Sequence, residues 1–151
     1  MGVPISLNNF FYKKLNVRWI DGVCCNETPY GMSFSFDLRT KKDNPNNILL
    51  TLGIKVMPTE KFQGIGIDAK IEGFFSIDDA IDDSRKNFYS IVNSATILYG
   101  IFRGQLNLLT SSFPCERFIL PTVMMKDEVE KYFSQMSKIQ DKKKRKKVID
   151  W

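Results

Sequence analysis

The stretch SSFPCERFILPTV (111–123) separates two helical patterns, and it therefore decides how the chain is organised. Pro114 stands where the upstream apolar periodicity ends, and proline is common just beyond a helix because it cannot continue the hydrogen-bond ladder. The segment FILP (118–121) is predicted to be extended, since the residue before a proline avoids helical geometry. The stretch is thus predicted to be a proline-bounded connector between two helices.

Upstream of the connector, the apolar residues have the spacing of a long amphipathic helix over about 84–111. The residues that carry this period are Phe88, Ile91, Val92, Ala95, Leu98, Tyr99, Phe102, Leu106 and Leu109. A second apolar set on another face comprises Ile97, Ile101 and Leu108. A helix that is apolar on two faces needs two partners. We expect one face to pack on a sheet and the second to form an interface with another copy of the chain.

Downstream of the connector, KDEVEKYFSQMSKIQ (126–140) resumes helical spacing and predicts a short second helix. The last segment, DKKKRKKVIDW (141–151), contains six basic and two acidic residues, so it carries +4 of the net charge of +5. The rest of the chain is therefore nearly neutral. We predict one domain, residues 1–140, followed by a basic C-terminal tail, residues 141–151.

Before residue 77 the apolar pattern has the period of β-strands. Four strands are predicted, namely FFYKKLNVRWI (10–20), GMSFSFDLR (31–39), ILLTLGIKVM (48–57) and IGIDAKIEGFFSI (65–77). In the first strand, one face is expected to carry Phe11, Leu15, Val17 and Trp19, with Lys13 as the exception. Short turns predict an antiparallel meander of the last three strands. The longer segment DGVCCNETPY (21–30) predicts a crossover loop, and the segregated order of strands and helices predicts an α+β fold.

Composition excludes several functional classes. The 151 residues are 43% apolar, which is typical of one globular domain. The chain has no histidine, so it has no Ser–His or Cys–His nucleophile pair. Three cysteines, two of them adjacent, predict neither a disulfide framework nor a zinc site. Because the chain has no long apolar run and no N-terminal signal pattern, we expect a cytoplasmic protein without membrane contact. Because it has no catalytic or metal-binding pattern, we also expect no cofactor, no metal and no enzymatic activity.

Several segments together resemble the SecB family of cytoplasmic protein-export chaperones and its SecB-like relatives. FFYKKLNV (10–17) resembles the opening strand of SecB, and IEGFFSI (71–77) resembles the end of its fourth strand. ILYGIFRGQL (97–106) resembles the main helix, with Gly100 where SecB has a proline, and SSFPCERFILPTV resembles the connector. The resemblance implies a four-stranded antiparallel sheet followed by a long helix, the connector and a short helix. It also implies a dimer of dimers, held partly by the long helices.

The same resemblance implies a surface groove that holds unfolded client protein. Aromatic and methionine side chains suit such a groove because they offer large and adaptable contact areas. The candidate client-binding residues are Val23, Tyr30, Met32, Phe34, Met124, Tyr132, Phe133 and Met136. Tyr30, Met32 and Tyr132 are expected to be exposed because they lie near loops or on the polar face. Phe34 and Phe133 could equally fill the core.

The resemblance implies a holdase without catalytic activity. Export chaperones of the family often carry a tail with Cys and His that binds zinc and docks on SecA, whereas DKKKRKKVIDW has neither residue. We therefore favour a dedicated client, such as an antitoxin of a toxin–antitoxin–chaperone system, over general protein export. An alternative of another class is a nucleic-acid-associated protein that uses the basic run. This run consists of Lys142, Lys143, Lys144, Arg145, Lys146 and Lys147, and it could also be a solvated tail.

Overall fold

A computed structural model of the chain describes residues 5–24, 28–77, 86–113 and 120–149. The elements are β1 (Ile5–Ile20), β2 (Tyr30–Thr40), β3 (Asn47–Pro58), β4 (Gly64–Ile77), α1 (Lys86–Leu109), a 3-10 turn (Thr110–Ser112) and α2 (Met125–Ile149). The predicted α+β order of four strands and two helices is confirmed. Part of the predicted connector, residues 114–119, and the predicted start of the long helix lie outside the described residues.

The four strands form one antiparallel sheet with the order β1-β4-β3-β2. The predicted meander of the last three strands is therefore confirmed. Because β1 and β2 lie at opposite edges, the segment between them must cross the end of the sheet, as predicted for a crossover loop. In its described part, the Val23 N–H donates to the Lys61 carbonyl at 2.6 Å, and the Gln63 N–H donates to the Val23 carbonyl at 3.0 Å. The start of the loop, at Val23, is thus fixed beside the β3–β4 turn.

The strand register divides the side chains between two faces of the sheet. One face, the covered face, packs against α1 and contains Met32, Phe34, Phe36 and Leu38 of β2, Ile48, Leu50, Leu52, Ile54 and Val56 of β3, and Ile65, Ile67, Ala69, Ile71 and Phe75 of β4. The opposite side, the open face, includes Ser35, Asp37 and Arg39 of β2, Leu49, Gly53 and Lys55 of β3, Asp68, Lys70, Glu72 and Phe74 of β4, and Phe11, Lys14 and Arg18 of β1. The core lies between the covered face and α1, where Leu98, Phe102 and Leu106 are fully buried.

The face prediction for β1 was wrong for Phe11. The register of β1 against β4 shifts between Tyr12 and Lys14, which places a bulge at Lys13. A bulge adds a residue to one strand and so reverses the alternation of faces beyond it. Leu15, Val17 and Trp19 share the covered face as predicted, but Phe11 lies on the open face and is 43% exposed.

The covered face of β1 before the bulge at Lys13 includes Phe10 and Tyr12. Tyr12 contacts α1. Its ring contacts the Phe102 ring of α1 with centroids 6.2 Å apart, and its hydroxyl donates to the Gln105 side-chain carbonyl. Burial raises the pKa of the Tyr12 hydroxyl above its ordinary value. The strand is thus joined to α1 by both an aromatic and a polar contact.

The described segment just before α2, residues 120–124, is fixed to α1 by two side chains. The Tyr99 hydroxyl donates to the Pro121 carbonyl at 2.6 Å, and Nε of Arg103 donates to the Leu120 carbonyl at 3.1 Å. These bonds satisfy backbone carbonyls of a segment that has no regular structure. They position the start of α2 beside β2.

The second helix is longer than predicted. It begins at Met125 and continues to Ile149 instead of ending at residue 140, so the basic run continues α2. No described helix is long and apolar enough to cross a membrane.

Candidate functional site

The candidate site is a shallow groove of about 90 Å³ between β2 and α2, called the β2–α2 groove here. Its walls are formed by Met32, Ser33 and Phe34 of β2 and by Glu128, Lys131, Tyr132 and Gln135 of α2. Three of the predicted client-binding residues, Met32, Phe34 and Tyr132, are therefore brought together. They meet because Met32 and Phe34 lie on the covered face of β2 and Tyr132 lies on the side of α2 that faces β2.

A row of aromatic rings connects the groove to both helices. The Phe34 ring meets Tyr99 of α1 edge to face at 5.7 Å and stacks with Phe36 at 6.4 Å. The Tyr132 ring of α2 meets Phe36 at 5.6 Å and its neighbour Phe133 at 5.4 Å. Such pairs each contribute about 0.5–1.5 kcal/mol beyond the area they bury. The groove therefore has a floor of rings that hold α2 against β2.

Tyr99, which contacts Phe34 in this floor, has a hydroxyl whose pKa is changed by its surroundings. Burial raises the pKa of the Tyr99 hydroxyl, and the nearby Glu128 carboxylate raises it further, while the Arg103 guanidinium opposes the shift. The hydroxyl therefore stays protonated at neutral pH and keeps its bond to the Pro121 carbonyl. Among the residues that the structure describes, no cluster of cysteine and carboxylate side chains could hold a metal ion.

Beyond Tyr132, α2 leaves the sheet. Val129 is fully buried, whereas every residue from Phe133 to Ile139 is exposed. The apolar members of this segment are Phe133 (42% exposed), Met136 (37%) and Ile139 (47%), and they recur at helical spacing. This apolar stripe, called the α2 stripe, continues the ring floor of the groove into solvent.

The remaining predicted site residues lie apart from the stripe. Met124 directly precedes α2 and is 68% exposed. Val23 is 56% exposed in the crossover loop, where it bridges Phe62. Tyr30 lies at the same end of the sheet, and its hydroxyl accepts the Ile65 N–H at 3.2 Å. A Cβ on Gly64 would lie 2.5 Å from this hydroxyl, so a larger residue there would displace the Tyr30 ring.

The expectation that Tyr30, Met32 and Tyr132 are exposed was wrong. All three are half-buried and pack against the core, as does Phe34. Because β2 is an edge strand with its covered face beneath both helices, positions near its end are shielded by tertiary packing. Phe133, in contrast, is exposed. The role of these residues in client binding stays a prediction.

The predicted oligomer interface on α1 has two half-buried residues, Ile97 and Ile101, and one that is 72% exposed, Leu108. The same side of α1 contains two exposed glycines, Gly100 and Gly104, at whose positions a Cβ would meet nothing within 4 Å. Glycine in an exposed helix interior costs about 1 kcal/mol relative to alanine. Nothing within the described protomer offsets this cost.

Comparison with known proteins finds a likeness in structure and none in sequence. No protein-family model and no curated protein matches the chain. Among solved structures, the Mycobacterium tuberculosis SecB-like chaperone Rv1957, in complex with a ChAD peptide from the Rv1956 HigA1 antitoxin, matches with a TM-score of 0.61 and 10% identity, over 80% of this chain and 91% of that chain. A protein of unknown function from Streptococcus agalactiae matches with a TM-score of 0.50 and 14% identity, over 78% and 97%.

These likenesses show the fold. The sheet, the long helix and the second helix have the SecB-like architecture that the sequence segments resemble, so the predicted fold class is confirmed. At such low identity, what the matched proteins bind does not follow for this chain.

Proposed function

We propose that the protein is a SecB-like holdase chaperone that binds non-native segments of a dedicated client, such as an antitoxin of a toxin–antitoxin–chaperone system. The observation that carries the proposal is the exposed α2 stripe beside an aromatic groove, within a fold shared with a SecB-like chaperone whose structure contains an antitoxin peptide. Binding of this kind requires apolar area and adaptable side chains, and it requires no chemistry.

The β2–α2 groove and the α2 stripe have complementary roles in this proposal. Met32, Phe34 and Tyr132 are half-buried and keep part of their surface accessible along the seam. Phe133 and Met136 extend that surface into solvent. A client segment with apolar side chains at intervals could bury both at once. Full burial of such a side chain contributes about 1.5–3 kcal/mol, so a few of them suffice for a stable complex.

A second copy of the chain completes the proposed assembly. The strand β1 is 16 residues long and pairs only with β4 in the described sheet, so one of its edges is open. Ile97, Ile101 and Leu108 flank the two exposed glycines of α1. Small residues let two helix backbones approach closely, and the neighbouring apolar side chains would then pack across the contact. We expect a dimer of dimers on the basis of the resemblance.

The client-binding prediction is tested by aggregation of a chemically denatured client, followed by light scattering. Changing both Phe133→Asp and Met136→Asp should weaken client binding roughly 10- to 100-fold, because each loses most of its apolar contact and adds a charge. The matched control changes both Ser134→Asp and Ser137→Asp, which adds the same two charges at exposed positions of the same helical turn. Equal suppression of aggregation by all three proteins would exclude the α2 stripe as the binding surface.

The client itself is identified by purification from the native host. One small protein that aggregates when it is produced alone supports the dedicated chaperone. Many secretory precursors together with SecA would instead support a general export chaperone. RNA or DNA that is released by salt would favour the alternative in which Lys142, Lys143, Lys144, Arg145, Lys146 and Lys147 bind nucleic acid.

A further inference from the structure

The open face of the sheet presents a grid of side chains on the side opposite α1, and Tyr132 of α2 borders it at the β2 edge. The strand register aligns them in rows that run from β2 to β1. At one end, the first row consists of Arg39, Leu49, Phe74 and Asn9. The second row consists of Asp37, Thr51, Glu72 and Phe11, and the third of Ser35, Gly53, Lys70 and Lys14. The face therefore combines aromatic, small and charged side chains in fixed positions.

Two aromatic rings stand out on this grid. Phe74 is 40% exposed and Phe11 is 43% exposed, and their ring centroids lie 6.1 Å apart at an interplanar angle of 32°. Both rings project from neighbouring paired strands, β1 and β4. Exposed rings on a sheet surface are a common platform for stacking unpaired nucleobases, which contributes about 1–3 kcal/mol per base.

The charges around these rings have a surplus of cations. The three carboxylates are each paired: Glu72 with Lys13 at 3.3 Å, Asp68 with Lys14 at 2.6 Å and Asp37 with Arg39 at 3.4 Å. Three further cations on this face, Arg18, Lys55 and Lys70, have no ion pair with any described residue. The face thus complements a polyanion.

A cavity of about 410 Å³ lies at the Phe74 end of the face. Leu49 and Phe74 form an apolar part of its lining, Arg39 and Lys41 supply cations, and no carboxylate lines it. Its other polar lining residues are Thr40 and two amides, Asn8 and Asn47. The two amides are held in place by Ser76, because Nδ2 of Asn8 donates to its hydroxyl at 2.7 Å and that hydroxyl donates to Oδ1 of Asn47 at 3.3 Å. An apolar floor, amides and cations together match a base and its phosphate.

We propose that the open face binds single-stranded nucleic acid. One base stacks on Phe74 within the cavity and the next stacks on Phe11, while Arg39, Lys41 and Lys70 contact backbone phosphates. A duplex keeps its bases stacked on each other and cannot use the two rings. An acidic polypeptide matches the charge, but it offers no flat π-systems for a pair of exposed phenylalanines. This surface lies on the opposite side of the sheet from the β2–α2 groove, so the proposal does not depend on the chaperone function.

The test measures the fluorescence anisotropy of a labelled oligouridine of about twelve nucleotides, a length within the usual site sizes, with the full-length protein at low salt. Phe74→Ala should raise Kd about 5- to 150-fold through lost stacking. Lys70→Gln removes only charge and should reduce the salt slope of log Kd by about 0.7. Matched controls are Tyr89→Ala, on α1 and 44% exposed, and Lys138→Gln, on α2, both of which should bind as the wild type does.

A variant in which glutamine replaces the six basic residues at 142–147 separates this surface from the C-terminal run. Retained binding by this variant, together with loss in Phe74→Ala, supports the open face. The proposal is overturned if the wild-type protein does not bind the oligonucleotide. It is equally overturned if only the 142–147 variant loses binding, or if poly-glutamate competes as well as an unlabelled oligonucleotide.

Discussion

The exposed glycines of α1 give the sharpest test of assembly. A Cβ at Gly100 or Gly104 would meet nothing within 4 Å in the described protomer. Replacing each with alanine should therefore stabilise an isolated protomer by about 1 kcal/mol through helix propensity. The double variant should gain about 2 kcal/mol, which raises Tm by roughly 4–8 °C for a chain of this size. If a second copy packs its helix here, however, the two added methyl groups obstruct the close approach.

Overpacking of a tight contact typically costs about 1–3 kcal/mol, which corresponds to a roughly 5- to 150-fold weaker association. Analytical ultracentrifugation over a range of protein concentrations measures the association, and urea unfolding at low concentration measures the protomer. Ser137→Ala on α2 is the control, because it also improves helix propensity but lies on another helix. A double variant that gains stability and keeps its wild-type oligomer would show that this side of α1 is free, and the interface prediction for Ile97, Ile101 and Leu108 would be refuted.

Two further perturbations separate packing from binding and test the ion pairs. Tyr132→Ala removes two ring contacts of a half-buried side chain, so the unfolding free energy should fall by about 2–4 kcal/mol in urea titrations. Phe133→Ala removes a ring that is 42% exposed and makes one of these contacts, so it should cost about 1 kcal/mol. Equal losses would contradict this assignment of roles. The hydrogen bond from Lys14 lowers the pKa of Asp68 in the folded protein. The ion pair therefore stabilises the fold above the unfolded-state pKa of about 3.9, and this stabilisation is lost as the pH falls through the lower folded-state pKa. The stability difference between the wild type and Asp68→Asn should therefore vanish in strongly acidic solution, and a difference that persists there would exclude this ion pair as its cause.

The sheet was predictable from sequence because its alternation is simple. Along β2 the even positions from Met32 to Leu38 are apolar, and all of them face the helices. The crossover between β1 and β2 was predictable from the length and composition of its loop. The SecB-like order followed from local segments, although no sequence comparison detects a relative.

What could not be predicted depends on tertiary packing. A bulge cannot be derived from alternation, and the bulge at Lys13 is what separates Phe11 from the rest of its expected face. The burial of Tyr30 and Tyr132 depends on partners that are distant in sequence, such as the Ile65 amide and the Phe36 ring. The sequence did contain a signal for exposed aromatic residues on the open face, because β1 and β4 each contain two adjacent phenylalanines, Phe10–Phe11 and Phe74–Phe75. In a two-faced strand, adjacent phenylalanines must point to opposite sides, so Phe74 opposes Phe75.

The two proposed surfaces are separate, but one side chain borders both. Tyr132 forms the α2 wall of the β2–α2 groove, and it also lines a cavity of about 250 Å³ at the edge of β2 together with Arg39 and Lys70 of the open face. Its ring holds α2 against Phe36. A client that displaced Tyr132 would therefore also change the lining around two cations assigned to phosphate binding. Any coupling between client and nucleic acid should consequently pass through Tyr132, and it should be lost in Tyr132→Ala while Phe133→Ala retains it.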